Sequence, residues 1–210
     1  LTMARYQKPD CRLCRTEKTK LFLKGNKCLT DKCPLERRSF PPGQHGRLRK
    51  RVLGYAIQLR EKQKLKRYYA MSEKQFRLFF EKAEQQKGVT GENLLILLER
   101  RLDNVLFMLG FSLSRAQARQ LIAHGHVQVN DHKVTIPSYL VKEGDIVGLK
   151  EKAAQNEDFK AIVEANKGKT VPGWLQPDWD NFQGKVASLP TRQDVTIPVE
   201  EHLIVELYSK

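Results

Sequence analysis

Leu94, Leu95, Leu98, Leu102, Val105, Leu106 and Leu109 recur at intervals of three and four. That spacing lines up apolar side chains on one stripe of a helix, so a buried helix is predicted from just after Gly91 until Gly110 stops it. Phe76, Phe79, Phe80 and Ala83 repeat the period in a preceding helix. Ser72, with Gln75 three positions on, forms the capping box that starts it, and it ends near Lys87-Gly88. Ser114 and Gln117 form a second box. It opens a short helix that reaches His124-Gly125, with Ala118, Leu121 and Ile122 as its buried stripe. Upstream, helical composition begins near Arg49 to Val52 and runs to about Tyr69.

After Gly125 the period falls from 3.6 to 2. Val127 and Val129 alternate with polar residues, Asn130-Asp131 makes a turn, and Val134 and Ile136 follow, which predicts a hairpin. Gly144-Asp145 is another turn, leading into Ile146-Val147. Residues 151 to 167 return to helix. Pro172, Gly173, Pro177 and Gly184 mark a long irregular connection, and two short strands close the chain near Val186 to Leu189 and Leu203 to Tyr208. Pro41-Pro42-Gly43-Gln44-His45-Gly46 excludes helix and strand and reads as a fixed turn or extended arm. These elements make an α+β fold.

Charge changes the picture. The 210 residues carry 38 Lys+Arg against 24 Asp+Glu, a formal net charge of +14. That balance repels itself in a compact fold and calls for polyanionic company. It is unevenly spread: Arg37 to Arg67 holds eleven Lys and Arg against one acid, Glu61. A hydrophobic fraction of 40% still permits a core, so the chain is not a disordered basic tail. No run of about 18 apolar residues is present, so no membrane span is expected, and no apolar signal core precedes a cleavage site. Leu1 and Thr2 precede Met3, which is the expected natural start.

The cysteines supply the candidate chemistry. Cys11 and Cys14 form one close pair, Cys28 and Cys33 another, with thirteen residues between the pairs. Two such loops can present four thiolates to one ion. The bland alternatives are unpaired buried thiols or two disulfides, the latter disfavoured in a reducing cytosol. Zinc is the first choice for a closed four-thiolate site, and a 4Fe-4S iron–sulfur cluster uses the same ligands. Arg12, Arg15, Lys18 and Lys32 offset the thiolate charge. A metal knuckle suits some thirty residues that cannot build a core of their own.

Enzyme signatures fail on inspection. Gly168-Lys169-Thr170 resembles the end of a phosphate loop, but Val163 stands where the first glycine is required. Gly110-Phe111-Ser112-Leu113-Ser114 misses a nucleophile elbow by its last glycine. No His-Glu pair has zinc-protease spacing. No catalytic role is expected.

The stretch RLDNVLFMLGFSLSRAQARQLIAHGHVQVNDHKVTIPSYLVKEGDIVG, from Arg101 to Gly148, resembles the RNA-binding module named after small-subunit ribosomal protein S-four. The GQHG turn, the LREKQKLKRYY run and the terminal EEHLIVELYSK resemble the rest of that ribosomal family, so the likeness spans nearly the whole chain. The resemblance implies a structural protein of the small ribosomal subunit. It would bind the five-way junction in the five-prime domain of small-subunit rRNA and nucleate assembly. It implies an organisation of four parts: a metal knuckle and arm (1–45), a helical domain (46–97), an inserted module (98–150), and a return to the helical domain with C-terminal strands packing back on it (151–210). Arg47, Arg49, Lys50 and Arg51 match the family stretch lining the channel by which messenger RNA (mRNA) enters. Arg60, Lys62, Lys64, Lys66 and Arg67 follow in the basic run as candidate RNA contacts. Arg115, Gln117, Arg119, His124 and Lys133 fall on the helix and hairpin that the resemblance turns toward RNA. The C-terminal part resembles the surface that meets neighbouring protein S-five, and some family members repress their own operon.

The chain departs from the family twice. Asn130-Asp131 stands where many members have Asn-Gly, and the four cysteines place it with the metal-containing subset. Two other classes compete with this reading: an RNA-modifying enzyme that borrows the module, and a zinc-finger DNA regulator. The first needs a catalytic domain that residues 150 to 210 are too short to supply. The second needs a repeated or dimerised recognition helix.

Overall fold

The computed structural model describes residues 6, 8–48, 53–168 and 170–209. The chain divides into two compact units, Leu1–Leu94 with Ile197–Lys210, and Leu95–Thr196.

The first unit begins with three short pieces: α1 (Cys11–Glu17), a 3-10 turn (Gly25–Cys28) and α2 (Pro34–Arg37). Two longer helices follow, α3 (Gly54–Tyr68) and α4 (Glu73–Glu84). The Ser72 hydroxyl accepts from the Gln75 amide at 3.3 Å, so the predicted cap is in place at the start of α4. The apolar stripe of α4 (Phe76, Phe79, Phe80 and Ala83) is buried as its spacing requires. The expected start of the preceding helix, from residue 49 to 52, lies outside the described residues.

The last element, α10 (Glu201–Tyr208), returns to this unit and packs along α3. This corrects the strand expected over Leu203 to Tyr208. The run of Leu, Ile, Val and Tyr has strand composition, but tertiary packing overrides such propensity. Ile204 is fully buried, and the Tyr208 ring stacks on Phe80 with centroids 4.5 Å apart. Only one helical face can deliver both contacts. Glu61 on α3 accepts from the Glu200 amide at 3.4 Å, and Lys64 donates to the Pro198 carbonyl at 3.3 Å.

α5 (Thr90–Glu99) leads from the first unit into the second, where α6 (Leu102–Met108) and α7 (Arg115–Ala123) follow. The single helix expected between Gly91 and Gly110 is therefore two. Arg101 is extended, with φ −67° and ψ 136°, and forms an isolated bridge to Leu140. The Leu102 amide donates to the Tyr139 carbonyl and the Val141 amide to the Arg100 carbonyl. This stitch diverts backbone groups that a continuous helix would keep. The leucine spacing hid the break because Leu98 and Leu102 remain four apart.

The second unit holds one five-stranded sheet in the order β2-β1-β3-β5-β4, with every pair antiparallel. Its strands are β1 (Val127–Val129), β2 (His132–Lys133), β3 (Ile146–Leu149), β4 (Leu175–Asp178) and β5 (Gln183–Val186). α8 (Glu151–Ala154) and α9 (Glu157–Asn166) lie between β3 and β4 in sequence. Val134 and Ile136 fall outside β2, so the hairpin is shorter than its alternation suggests. The irregular connection expected from 172 to 184 contains β4, and the strand expected from Val186 to Leu189 ends at Val186. β4 and β5 extend the module sheet through β3–β5 pairing. Residues 151–196 thus fall in the second unit. The buried face carries Val127, Val129, Val147, Leu149, Leu175 and Val186, packed with Leu102, Leu106, Leu121 and Ile122 from α6 and α7.

Asn130 and Asp131 both take positive φ, 48° and 63°. A two-residue hairpin turn of this hand requires that conformation at both positions. Asn130 secures it by accepting from the Ile146 amide at 2.9 Å and donating to Asp145 at 2.8 Å. Among the described residues no helix is long and apolar enough to cross a membrane.

Candidate nucleic-acid interface and cysteine cluster

Cys11 and Cys14 sit one turn apart on α1, Cys28 ends the 3-10 turn and Cys33 precedes α2. All four are free of disulfides, and Cys14, Cys28 and Cys33 are buried. Burial pushes the Cys14 thiol up, a backbone hydrogen bond with Leu21 pulls it down, and the charges of Cys28, Cys11 and Cys33 add to the rise. The Lys24 amide donates to the Cys28 sulfur at 3.4 Å. Four sulfurs from two short segments, three of them buried, are a donor set that suits a structural ion. Among the described residues, no group of three or more His, Cys, Asp or Glu is arranged as a formed metal site.

α1 is tied to α3 by Glu17, whose side chain is 1% exposed and accepts from Arg67 and, at 3.3 Å, from Arg60. Burial pushes the Glu17 carboxyl above its ordinary value even though both guanidiniums pull the other way. The remaining cations of the basic helix are also met by acids. Lys62 and Lys66 donate to Glu73 at 2.5 and 2.7 Å, and Lys64 to Glu61 at 2.6 Å. All five α3 residues expected to meet RNA therefore hold carboxylates of their own unit. Lys62 is buried in doing so. Heptad-like spacing explains it: Arg60 and Arg67 are seven apart, two helical turns, and so share one face. Tyr68 and Tyr69 are buried and Tyr55 is exposed.

In the second unit the structure moves Arg115 and Arg119 inward. Both are buried. Arg119 donates to Asp103 at 2.7 Å, and Arg101 grips the same carboxylate through two bonds, at 3.0 and 2.6 Å. Arg115 donates to the Asn104 carbonyl oxygen at 2.8 Å and lies 4.6 Å from the Phe107 ring centroid. Asn104 in turn donates to Glu99. A buried carboxylate demands such partners, so the positions that sequence placed at the RNA face brace α6 against α7. Gln117 is half-buried, and its carbonyl oxygen accepts from the Leu113 amide at 2.8 Å.

The outward chemistry lies lower on the module. His124 and Lys133 are exposed, and the His124 and His126 rings are 6.2 Å apart. Gly125 has φ 75°, and a Cβ there would fall 2.3 Å from Lys133 Cε, so the lysine stem crosses bare backbone at the end of α7. Lys133 is thus brought to Gly125, next to His124 in sequence, while Arg115 and Arg119 are buried. Arg47 is exposed on the Pro-Gly arm of the first unit. Arg49, Lys50 and Arg51 lie outside the described residues.

Sequence reasoning missed Glu17, Asp103, Asn104 and Phe40, whose ring lies under the Arg15 and Arg47 guanidiniums. Glu17 carried a readable signal: it follows Cys14 by three, on the same helical face. Asp103 gave none, because its two arginine partners are two and sixteen residues away.

Comparison with known proteins gives a match across both units. Residues 5–99 match the family model described as the ribosomal protein S4/S9 N-terminal domain, and residues 100–147 match the S4 domain. The small ribosomal subunit protein uS4 of Thermoanaerobacter pseudethanolicus is 58% identical over 208 residues, covering 99% of this chain and all of the relative. The proteins of the same name from Halothermothrix orenii and Geotalea daltonii are 55% and 56% identical over the same coverage.

Proposed function

Since this chain belongs to the ribosomal protein S4 family, which is structural and not enzymatic, we propose that it is a structural constituent of the small ribosomal subunit that binds small-subunit rRNA. The observation that carries this is the end-to-end likeness to proteins named for that subunit, with two RNA-associated domains in their expected order. A borrowed module in another enzyme would match over residues 100–147 alone.

The finer reading is that the protein grips the five-prime-domain junction early and nucleates assembly. Its net charge of +14 favours long-range capture of RNA, with counterion release supplying much of the affinity. His124 and Lys133, beside the end of α7, form the module's outward polar edge and contact phosphate or exposed bases. Arg47 and the neighbouring Arg49, Lys50 and Arg51 meet messenger RNA, and the C-terminal part meets protein S-five. Cys11, Cys14, Cys28 and Cys33 hold zinc, with an iron–sulfur cluster as the competing occupant. The ion supplies a cross-link that holds α1 and α2 together where a hydrophobic core is absent.

Fractionation of cell lysate on a sucrose gradient, with a high-salt wash of the small subunits, tests the proposal. Retention on the washed subunit supports an integral component. Free protein, or loss in the wash, overturns it and brings the borrowed-module reading forward.

A further inference from the structure

The four cysteines are not alike. Cys14, Cys28 and Cys33 are 8%, 8% and 6% exposed, whereas Cys11 is half-buried and reaches solvent. The Leu21 amide donates to the Cys14 sulfur and the Lys24 amide to the Cys28 sulfur, which shields both further. Cys11 opens α1 in a cationic stretch: Lys8, Arg12 and Arg15 lie within four residues of it, against one acid, Asp10. A thiol that is partly exposed among cations is the reactive kind, while buried structural thiols are inert.

Cys11 also has a second sulfur within reach. Cys14 follows it by three on α1, so the two share one helical face. Side chains at that spacing stand roughly 5–6 Å apart at Cβ, against about 3.5–4.5 Å in a disulfide. A small closure of the first turn joins them. We propose that Cys11 is an oxidation site for hydroperoxides and that Cys14 resolves it as a disulfide. The Cys11 sulfur attacks one peroxide oxygen, the O–O bond breaks, and the departing hydroxide takes up the thiol proton, which leaves a sulfenic acid and water. The Cys14 sulfur then attacks the Cys11 sulfur, the S–O bond breaks, and the hydroxide leaves as water with the Cys14 proton. Two electrons pass from the two sulfurs to the peroxide. The step uses the thiols alone, so it does not require the zinc reading, and a bound ion would leave with these two ligands.

Two fasteners sit just past the pair on α1. Arg15 donates to the Arg38 and Phe40 carbonyls at 3.1 and 3.0 Å, and Glu17 accepts from Arg60 and Arg67 of α3. Closing the first turn strains both, so oxidation loosens α1 from the arm and from α3.

The test uses the full chain, as purified and after treatment with a chelator. Each sample is exposed to hydrogen peroxide, alkylated, digested with pepsin and mapped by mass spectrometry. After chelation, Cys11 and Cys14 should be the first pair to escape alkylation, on one peptide lighter by two hydrogens, and dithiothreitol should restore them. In reduced, chelated protein, iodoacetamide should label Cys11 at least about tenfold faster than Cys28 or Cys33. Both readouts use wild type and need no variant to fold. Cys11→Ser should leave Cys14 reduced at the same dose. Amide exchange across α1 should quicken in the oxidised protein and recover on reduction. The proposal is overturned if Cys28 and Cys33 close first, if all four thiols react alike, or if Cys11 passes to the sulfinic acid, which dithiothreitol does not reverse. Elemental analysis of the purified protein keeps the two readings apart. Protein without zinc that forms the bridge sinks the zinc reading alone, and zinc-bearing protein whose thiols resist peroxide even after chelation sinks this one alone.

Discussion

Asp103 gathers two arginines of the second unit on one buried carboxylate. Its carboxylate is 2% exposed and takes hydrogen bonds from Arg101 and Arg119. Removing one member of a buried ionic group leaves the others uncompensated, at a cost of about 3–5 kcal/mol. Asp103→Asn should therefore lower the urea midpoint sharply, and a shift below about 1 kcal/mol would mean that water reaches the guanidiniums. Glu73 gives a pH signature. Burial pushes its carboxyl up, but hydrogen bonds from Lys62 and Lys66 outweigh that and bring it from 4.5 down to about 2. A carboxyl lowered by folding stabilises above its unfolded value, and the benefit is lost as pH falls through its folded one. The stability gap between wild type and Glu73→Gln should thus be full above pH 4.5 and vanish near pH 2 in urea unfolding. A constant gap would show that the Lys62 and Lys66 bonds do not depend on charge. At this scale the sequence revealed residue types better than their partners. Arg115 and Arg119 read as surface because nothing local announces a buried acid, while Ser72 and Ser114 read correctly because their caps are local.

Elements were legible where one period ran unbroken. α4 and α7 sit where their stripes and caps put them, and the Asn130-Asp131 turn takes the positive φ its hairpin needs. The errors came from long-range partners. The backbone stitch to Tyr139 and Val141 splits the leucine helix, and the face of α3 makes a helix of Leu203 to Tyr208. Neither partner adjoins its target in sequence. The cysteine segment is the element that the proposed zinc would order. If the four cysteines hold zinc as proposed, Cys14→Ser should release it, measured by elemental analysis, and speed amide exchange across α1 and α2, with the module's strands unchanged. Unchanged metal content would remove the zinc assignment.

Across the whole molecule, formal charge overstates what is available to RNA. The basic window holds eleven cations, yet Arg60, Lys62, Lys64, Lys66 and Arg67 are already committed to Glu17, Glu61 and Glu73. The slope of log affinity against log salt scales with the phosphates neutralised, at about 0.9 for each. Arg47→Gln should flatten the slope for RNA binding by about one, and Lys64→Gln should leave it unchanged. Equal flattening by both would show that the α3 ion pairs open to meet phosphate.

The placement of α10 has a consequence in time. Ribosomes release a chain from its N-terminus, so α3 emerges well before the helix that covers it. The intervening hundred or so residues of the second unit are complete before that, so they are free to fold while α3 still waits with one flank bare. Bridging so long an insertion costs little extra closure entropy, because that cost grows only with the logarithm of length. An early stretch of the protein thus stays unfinished while the second unit is made, and its basic helix is sealed only once α10 follows.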